Sequence, residues 1–95
     1  MRAAVTALRL SIVGRVQGVG FRAWAVDEAM RRNLRGWVRK RRDGSVEALI
    51  IGQPDAVAAM VTACRRGPPM AHVGAVHQNA ADDDGSAGFF ERAMD

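Results

Sequence analysis

Residues 14 to 22, "GRVQGVGFR", place three glycines within seven positions (Gly14, Gly18 and Gly20) and follow the last at once with Phe21 and Arg22. Glycine costs backbone entropy, so such a cluster marks a place where the main chain turns sharply or approaches something closely. A glycine-rich loop that opens a helix can aim successive backbone N–H groups at one point, and the helix N-terminus adds partial positive charge. A tetrahedral oxyanion fits that concavity. Arg22, in the first turn of the helix, adds a planar fork for two phosphate oxygens.

Two other phosphate motifs fail on context. Gly18 to Ala23 formally matches the G-x-G-x-x-G/A dinucleotide fingerprint, and Asp43 lies about twenty residues further on. The next strand, however, carries Arg39, Lys40, Arg41 and Arg42 where a buried parallel strand would be apolar. A Walker loop ending in Gly-Lys-Ser/Thr is absent from the sequence.

The elements that must position this loop follow from periodicity. Leu8, Leu10 and Ile12 alternate with Arg9 and Ser11, which predicts a half-buried strand over 7–13. Phe21, Ala25 and Ala29 recur every four residues and predict a helix through "FRAWAVDEAMRRNL". Its acids, Asp27 and Glu28, precede Arg31 and Arg32 as the helix dipole favours, and Asn33 is a left-handed cap. Asp43-Gly44 predicts a tight hairpin between strands over 37–42 and 45–51. Pro54 and Asp55 open a second helix with Val57, Met60, Val61 and Cys64 on one face, stopped by "GPP" at 67–69. A fourth strand over 72–77, a loop of turn formers and acids over 79–88, and a short fifth edge strand from Phe89 complete the chain. The order is that of an α+β, ferredoxin-like βαββαβ sandwich, an antiparallel sheet with two helices on one face, in a single domain over 1–95.

Fourteen Lys and Arg against ten acids leave a formal charge of +4, which favours anionic partners without choosing among them. No stretch approaches the ~18 to 20 apolar residues of a membrane span. Arg9 breaks the N-terminal apolar run before a signal-peptide core forms, so a soluble, cytoplasmic protein is expected. The lone Cys64 has no internal disulfide partner and reads as a buried apolar residue.

The basic run at 39–42 splits between the two faces of a strand, which argues for a solvated hairpin end over a nucleic-acid surface. Strand 45–51 also lacks the aromatics on which bases stack. His72 and His77 have no partner at metal-ligand spacing. Asp82, Asp83 and Asp84 lack the alternation of a calcium loop and read as a solvated, mobile turn. No metal or cofactor is expected. Trp24 stands one residue off the helix stripe and reads as a flank of the core, and Trp37 reads as structural.

"GRVQGVGFR" resembles the signature of the acylphosphatases at every defined position: Gly14, Val16, Gln17, Gly18, Val19, Phe21 and Arg22. A second signature of that family is similar to Gly36, Trp37, Val38, Arg39, Gly44, Val46 and Gly52 at matched spacing, with Lys40 standing where the family has asparagine. The resemblance implies a small hydrolase, free of metal and cofactor, that splits a carboxylic-phosphoric anhydride into a carboxylate and inorganic phosphate. Its partner is a small-molecule acyl phosphate, and nothing requires a second copy, so a monomer is expected. By resemblance, Gln17, Gly18, Val19, Gly20, Phe21 and Arg22 cradle the phosphoryl oxygens, and Arg22 stabilises charge in the transition state.

In the family the asparagine orients the attacking water through its side-chain carbonyl. Lysine has three donors and no acceptor, so Lys40 cannot reproduce that arrangement while charged. Three outcomes are open. Lys40 loses its proton beside Arg22 and accepts from water; it turns to solvent; or it binds the phosphoryl group as a second cation. The expected protein binds the phosphoryl group well and turns over weakly. A catalytically silent phosphate-binding module is the alternative, and a nucleic-acid binder a weaker one.

Overall fold

Side-chain alternation along the first strand sends Leu10 and Ile12 into an apolar core while Arg9 faces solvent on the other side. The computed structural model, which describes residues 4–94, builds outward from that strand. In chain order the elements are β1 (Thr6–Arg15), α1 (Phe21–Arg31), β2 (Arg35–Lys40), β3 (Val46–Gly52), α2 (Pro54–Arg66), β4 (His72–Ala80) and β5 (Phe89–Glu91). The sheet order is β4-β1-β3-β2-β5.

Four strands pair antiparallel, but β5 lies parallel to β2, so the sheet is mixed where an antiparallel sheet was expected. The reason is the route of the chain. It leaves β4 at one edge, crosses the whole sheet, and enters the far edge running in the direction of β2.

Both helices cover one face. Phe21, Ala25 and Ala29 of α1 and Val57, Met60, Val61 and Cys64 of α2 close over Leu10, Ile12, Val38, Val46, Ala48 and Ile50. Burying each large side chain contributes about 1.5–3 kcal/mol. Cys64 sits inside this cluster, and desolvation pushes its thiol up to about 12. Glu28 is buried on α1 and is held by Arg31 at 2.8 Å, Arg32 at 3.3 Å and Arg66 of α2 at 3.9 Å, which ties the two helices together. Asn33 takes positive φ (56°) just beyond α1, as the cap reading required.

Strand ends moved. β2 stops at Lys40 because Arg41 already belongs to the turn: its N–H donates to the Ser45 carbonyl, and the Gly44 N–H donates back to Arg41. Arg42, Asp43 and Gly44 form a three-residue connection with Gly44 at φ 93°, in place of the two-residue hairpin that Asp-Gly suggests. β1 runs on to Arg15 through a bulge at Val13/Gly14, and β4 continues to Ala80.

The segment over 81–88 also departs from expectation. It is exposed, as expected, but it forms a strap across the open face of the sheet that side-chain contacts pin. Asp83 pairs with Arg35 and caps Gly85, while Asp84 accepts from the Trp37 indole N–H at 3.2 Å and from Ser86. Beneath it Trp37, Leu49 and Ile51 form a second small cluster with Ala7 and Ala81. β3 is therefore covered on both faces, which explains why "VEALII" is apolar nearly throughout.

Candidate active site

The loop between β1 and α1 is held at both ends. Val16 is buried in the core, and Phe21, at the first helical position, is 1% exposed. Val19 packs against the same cluster from within the loop. Gly18 and Gly20 have φ of 71° and 77°, a region that favours glycine, and a Cβ added to either would meet nothing within 4 Å. Their role is thus conformational, and the space above them is open. Gly20 is the N-cap of α1 and no side chain caps the helix, so the first-turn amides have no competing side-chain acceptor.

Gln17 fastens the loop to the β2–β3 turn. Its amide nitrogen donates to the carbonyls of Arg41 at 3.0 Å and Ser45 at 3.2 Å. Asp43 organises the same turn by accepting from the Ser45 amide and hydroxyl, which hold its carboxyl below the usual carboxylate range.

Arg22 leaves the first turn of α1 with its side chain 31% exposed and touches one carboxylate oxygen of Glu91 through Nη1, at 3.4 Å. Glu91 lies opposite Val38 in the β2–β5 ladder. Alternation puts Lys40, half-buried, on the same face as Val38. Gly18, Gly20, Arg22 and Lys40 therefore gather at the end of the sheet fixed by Gln17. The Lys40 side chain makes no hydrogen bond or ion pair to the described residues.

Of the six loop positions expected to bind phosphate, four can offer backbone alone, Gly18 and Gly20 because they have no side chain and Val19 and Phe21 because theirs pack against the core. Phe21 and Val19 bury their side chains, so any contact from them comes through N–H groups. Glu91 was missed, because a strand of three residues gives no periodic signal and only its pairing with β2 brings it to Arg22.

The basic run divides as alternation requires. Arg39 and Arg41 both reach Glu47 on the open face, at 2.7 and 3.4 Å, and Arg39 also lies over the Trp37 ring. Trp24 flanks the core with its ring 5.2 Å from that of Phe21. A groove of about 320 Å³ between α2, β1 and β4, lined by Leu8, Val57, Val61 and Arg65 among others, contains none of the loop residues. Among the described residues no group of His, Cys, Asp and Glu could hold a metal ion, and no helix is long and apolar enough to cross a membrane.

An uncapped glycine turn and an arginine with most of its fork unspent thus stand at one end of a ferredoxin-like α+β sandwich. Comparison with known proteins makes this specific. The family model for acylphosphatase matches residues 8–91, and the chain belongs to the acylphosphatase family. It is 57% identical over 75 residues to an acylphosphatase of Azorhizobium caulinodans, covering 79% of this chain and 81% of that one. It is 49% identical over 87 residues to an acylphosphatase of Acidiphilium cryptum, covering 92% and 96%. The crystal structure of acylphosphatase from Bacillus subtilis superposes with a TM-score of 0.89 at 36% identity, over 94% of this chain and 99% of that one.

Proposed function

We propose that this chain is a working but slowed acylphosphatase, and that its phosphoryl site is formed by the backbone of Gln17 through Arg22 with the Arg22 guanidinium. The observation that carries the reading is the open, uncapped turn at Gly18–Gly20 with Arg22 beside it.

The chemistry needs little more than placement. Water attacks phosphorus as the bond from phosphorus to the acyl oxygen breaks, and the bonding pair leaves on a carboxylate. The leaving group is stable without a proton, and the water protons remain on the phosphate, so R-CO-O-PO3 dianion and water give a carboxylate and H2PO4 anion. Loop amides and Arg22 stabilise the equatorial oxygens of a loose transition state. Arg22 has donors for both tasks: Nη1 touches Glu91, while Nε and Nη2 remain for a bidentate phosphoryl contact.

Lys40 is the weak point. A charged lysine donates only, so it binds the phosphoryl group as a second cation and leaves the water poorly held. A misplaced nucleophile costs ~10²-fold in rate. The supporting observation is that Lys40 faces the helix side with no partner among the described residues. The same observation favours the second reading, a silent phosphate binder.

The reading extends to a single domain acting as a monomer in the cytoplasm. The lone cysteine is buried and unpaired, in keeping with a reducing compartment. Gel filtration checks the monomeric state.

The test is steady-state hydrolysis of an aryl acyl phosphate with a metal chelator present. Slow turnover is expected for the natural chain, and Lys40→Asn is expected to raise kcat by ~10²-fold with little change in KM. An unchanged kcat in that variant contradicts the slowed-enzyme reading. Turnover only in Lys40→Asn makes the natural chain a silent binder.

A further inference from the structure

Positioning a water for in-line attack takes an acceptor for its protons, and Arg22 and Lys40 carry donors only. Apart from the Ser45 hydroxyl, which is buried and bonded to Asp43, three side-chain acceptors border the loop. Asp43 is held in the turn by Ser45 through Oδ1 alone, and its free oxygen belongs to an anion that would repel the phosphoryl dianion. Glu91 is an anion paired with Arg22, and a carboxylate facing the phosphoryl dianion would repel it. The third is the Gln17 amide.

Its orientation is determined by chemistry. The nitrogen donates to two backbone carbonyls, Arg41 and Ser45, and a flipped amide would set its oxygen against both. The oxygen Oε1 therefore points away from the turn. Among the described residues no donor bonds Oε1, and no buried side-chain nitrogen or oxygen lacks a partner, so Oε1 of this half-buried residue meets solvent. It does so in the loop itself, and the carbonyl that anchors its nitrogen belongs to Arg41, the residue after Lys40.

We propose that the Gln17 carbonyl Oε1 accepts the hydrogen bond that positions the attacking water, supplying the acceptor that Lys40 lacks. The proposal rests on the reading of this loop as the site of acyl phosphate hydrolysis. Gln17 orients the water and takes no proton from it: an amide oxygen is a weak base, and both water protons stay with the phosphate. Fixing the nitrogen on two carbonyls presets the oxygen before substrate arrives, which is how a neutral amide acts as a rigid acceptor.

The test is a kinetic double-mutant cycle on the full chain, combining Gln17→Lys with Lys40→Asn. Lysine at 17 keeps donors for the Arg41 and Ser45 carbonyls and removes the acceptor. Inorganic phosphate as a competitive inhibitor reads cradle affinity, and thermal unfolding reads the fold. In the natural background Gln17→Lys is expected to lower kcat by ~10-fold or more, with the phosphate inhibition constant within ~3-fold. In the Lys40→Asn background, where asparagine supplies an acceptor, the same change is expected to cost less than ~3-fold. Gln17→Met, which loses the donors too, is expected to lower the unfolding temperature as well and to repeat the background-dependent loss of kcat.

Equal losses of kcat in both backgrounds would overturn the proposal and leave Gln17 as a loop pin. Loss of phosphate inhibition in step with kcat would do the same. If none of the variants turns over although phosphate still binds by calorimetry, the hydrolase reading falls and this proposal with it. Additive losses among proteins that do turn over defeat the proposal alone.

Discussion

Two regions of the molecule put arginine beside carboxylate, and they do so to opposite effect. On the open face Glu47 is 4% exposed and is met by Arg39 at 2.7 Å, Arg41 at 3.4 Å and Arg9 at 3.5 Å. One buried carboxylate draws three guanidiniums to itself there and orders them for the fold. At the loop end Arg22 makes a single 3.4 Å contact to an exposed Glu91, an arrangement worth about 0–1 kcal/mol. Its remaining donors are uncommitted. The count of basic residues therefore says less about anion binding than what each guanidinium already faces.

Changing the fork at the loop end should have the largest effect. Arg22→Lys keeps the charge and loses the bidentate geometry, and is expected to cut hydrolysis by ~10²–10³-fold while the unfolding temperature hardly moves. An unchanged rate would show that charge alone suffices.

The open face should respond in the other sense. Glu47→Gln leaves three arginines facing one another and is expected to cost about 1–3 kcal/mol of stability, a range already reduced for the solvent that screens the exposed arginines. Hydrolysis at 25 °C should be retained. Denaturant unfolding together with initial rates decides between a structural and a catalytic open face.

A third group, outside both regions, calibrates the stability scale. Burial pushes the Cys64 thiol up to about 12 in the folded protein, above its ordinary value in the unfolded chain. Its contribution is therefore fully present below the unfolded value and is lost as pH rises toward 12, by up to about 1.4 kcal/mol per pH unit. Unfolding midpoints between pH 8 and 10 should fall more steeply in the natural chain than in Cys64→Ala.

The smallest expected effect lies in the strap. Arg35 holds the Asp83 carboxyl low, and Ser86 with the Trp37 indole holds Asp84 low. Groups with depressed values stabilise above the unfolded carboxylate range, and that stability is lost as pH falls through the folded values. Asp83→Asn should make the protein slightly less stable at neutral pH and slightly less sensitive to acid, as read by melting curves at pH 7 and pH 3.

Much of this was legible in the sequence. The alternation of Leu8, Leu10 and Ile12, the Phe21–Ala25–Ala29 stripe and the α2 face are strong periodic signals, and each is realised in the core. The glycine loop could be read because Gly18 and Gly20 need φ values that few other residues adopt. What escaped depends on long-range contact. The mixed sheet, the strap pinned by Asp83 and Asp84, and the approach of Glu91 to Arg22 all come from one edge-to-edge crossing, which no local pattern encodes. The end of β2 was misplaced because Arg41 looks like a strand residue until the turn claims its N–H.

The most direct test of this contrast pairs Arg22→Ala with Arg39→Ala and measures acyl phosphate hydrolysis and thermal unfolding on both. Arg22→Ala is expected to lose at least ~10³-fold in kcat/KM at an unchanged unfolding temperature, whereas Arg39→Ala is expected to unfold earlier and keep its activity. Activity that survives Arg22→Ala, or that vanishes in a folded Arg39→Ala, would place the phosphoryl site somewhere other than the glycine loop.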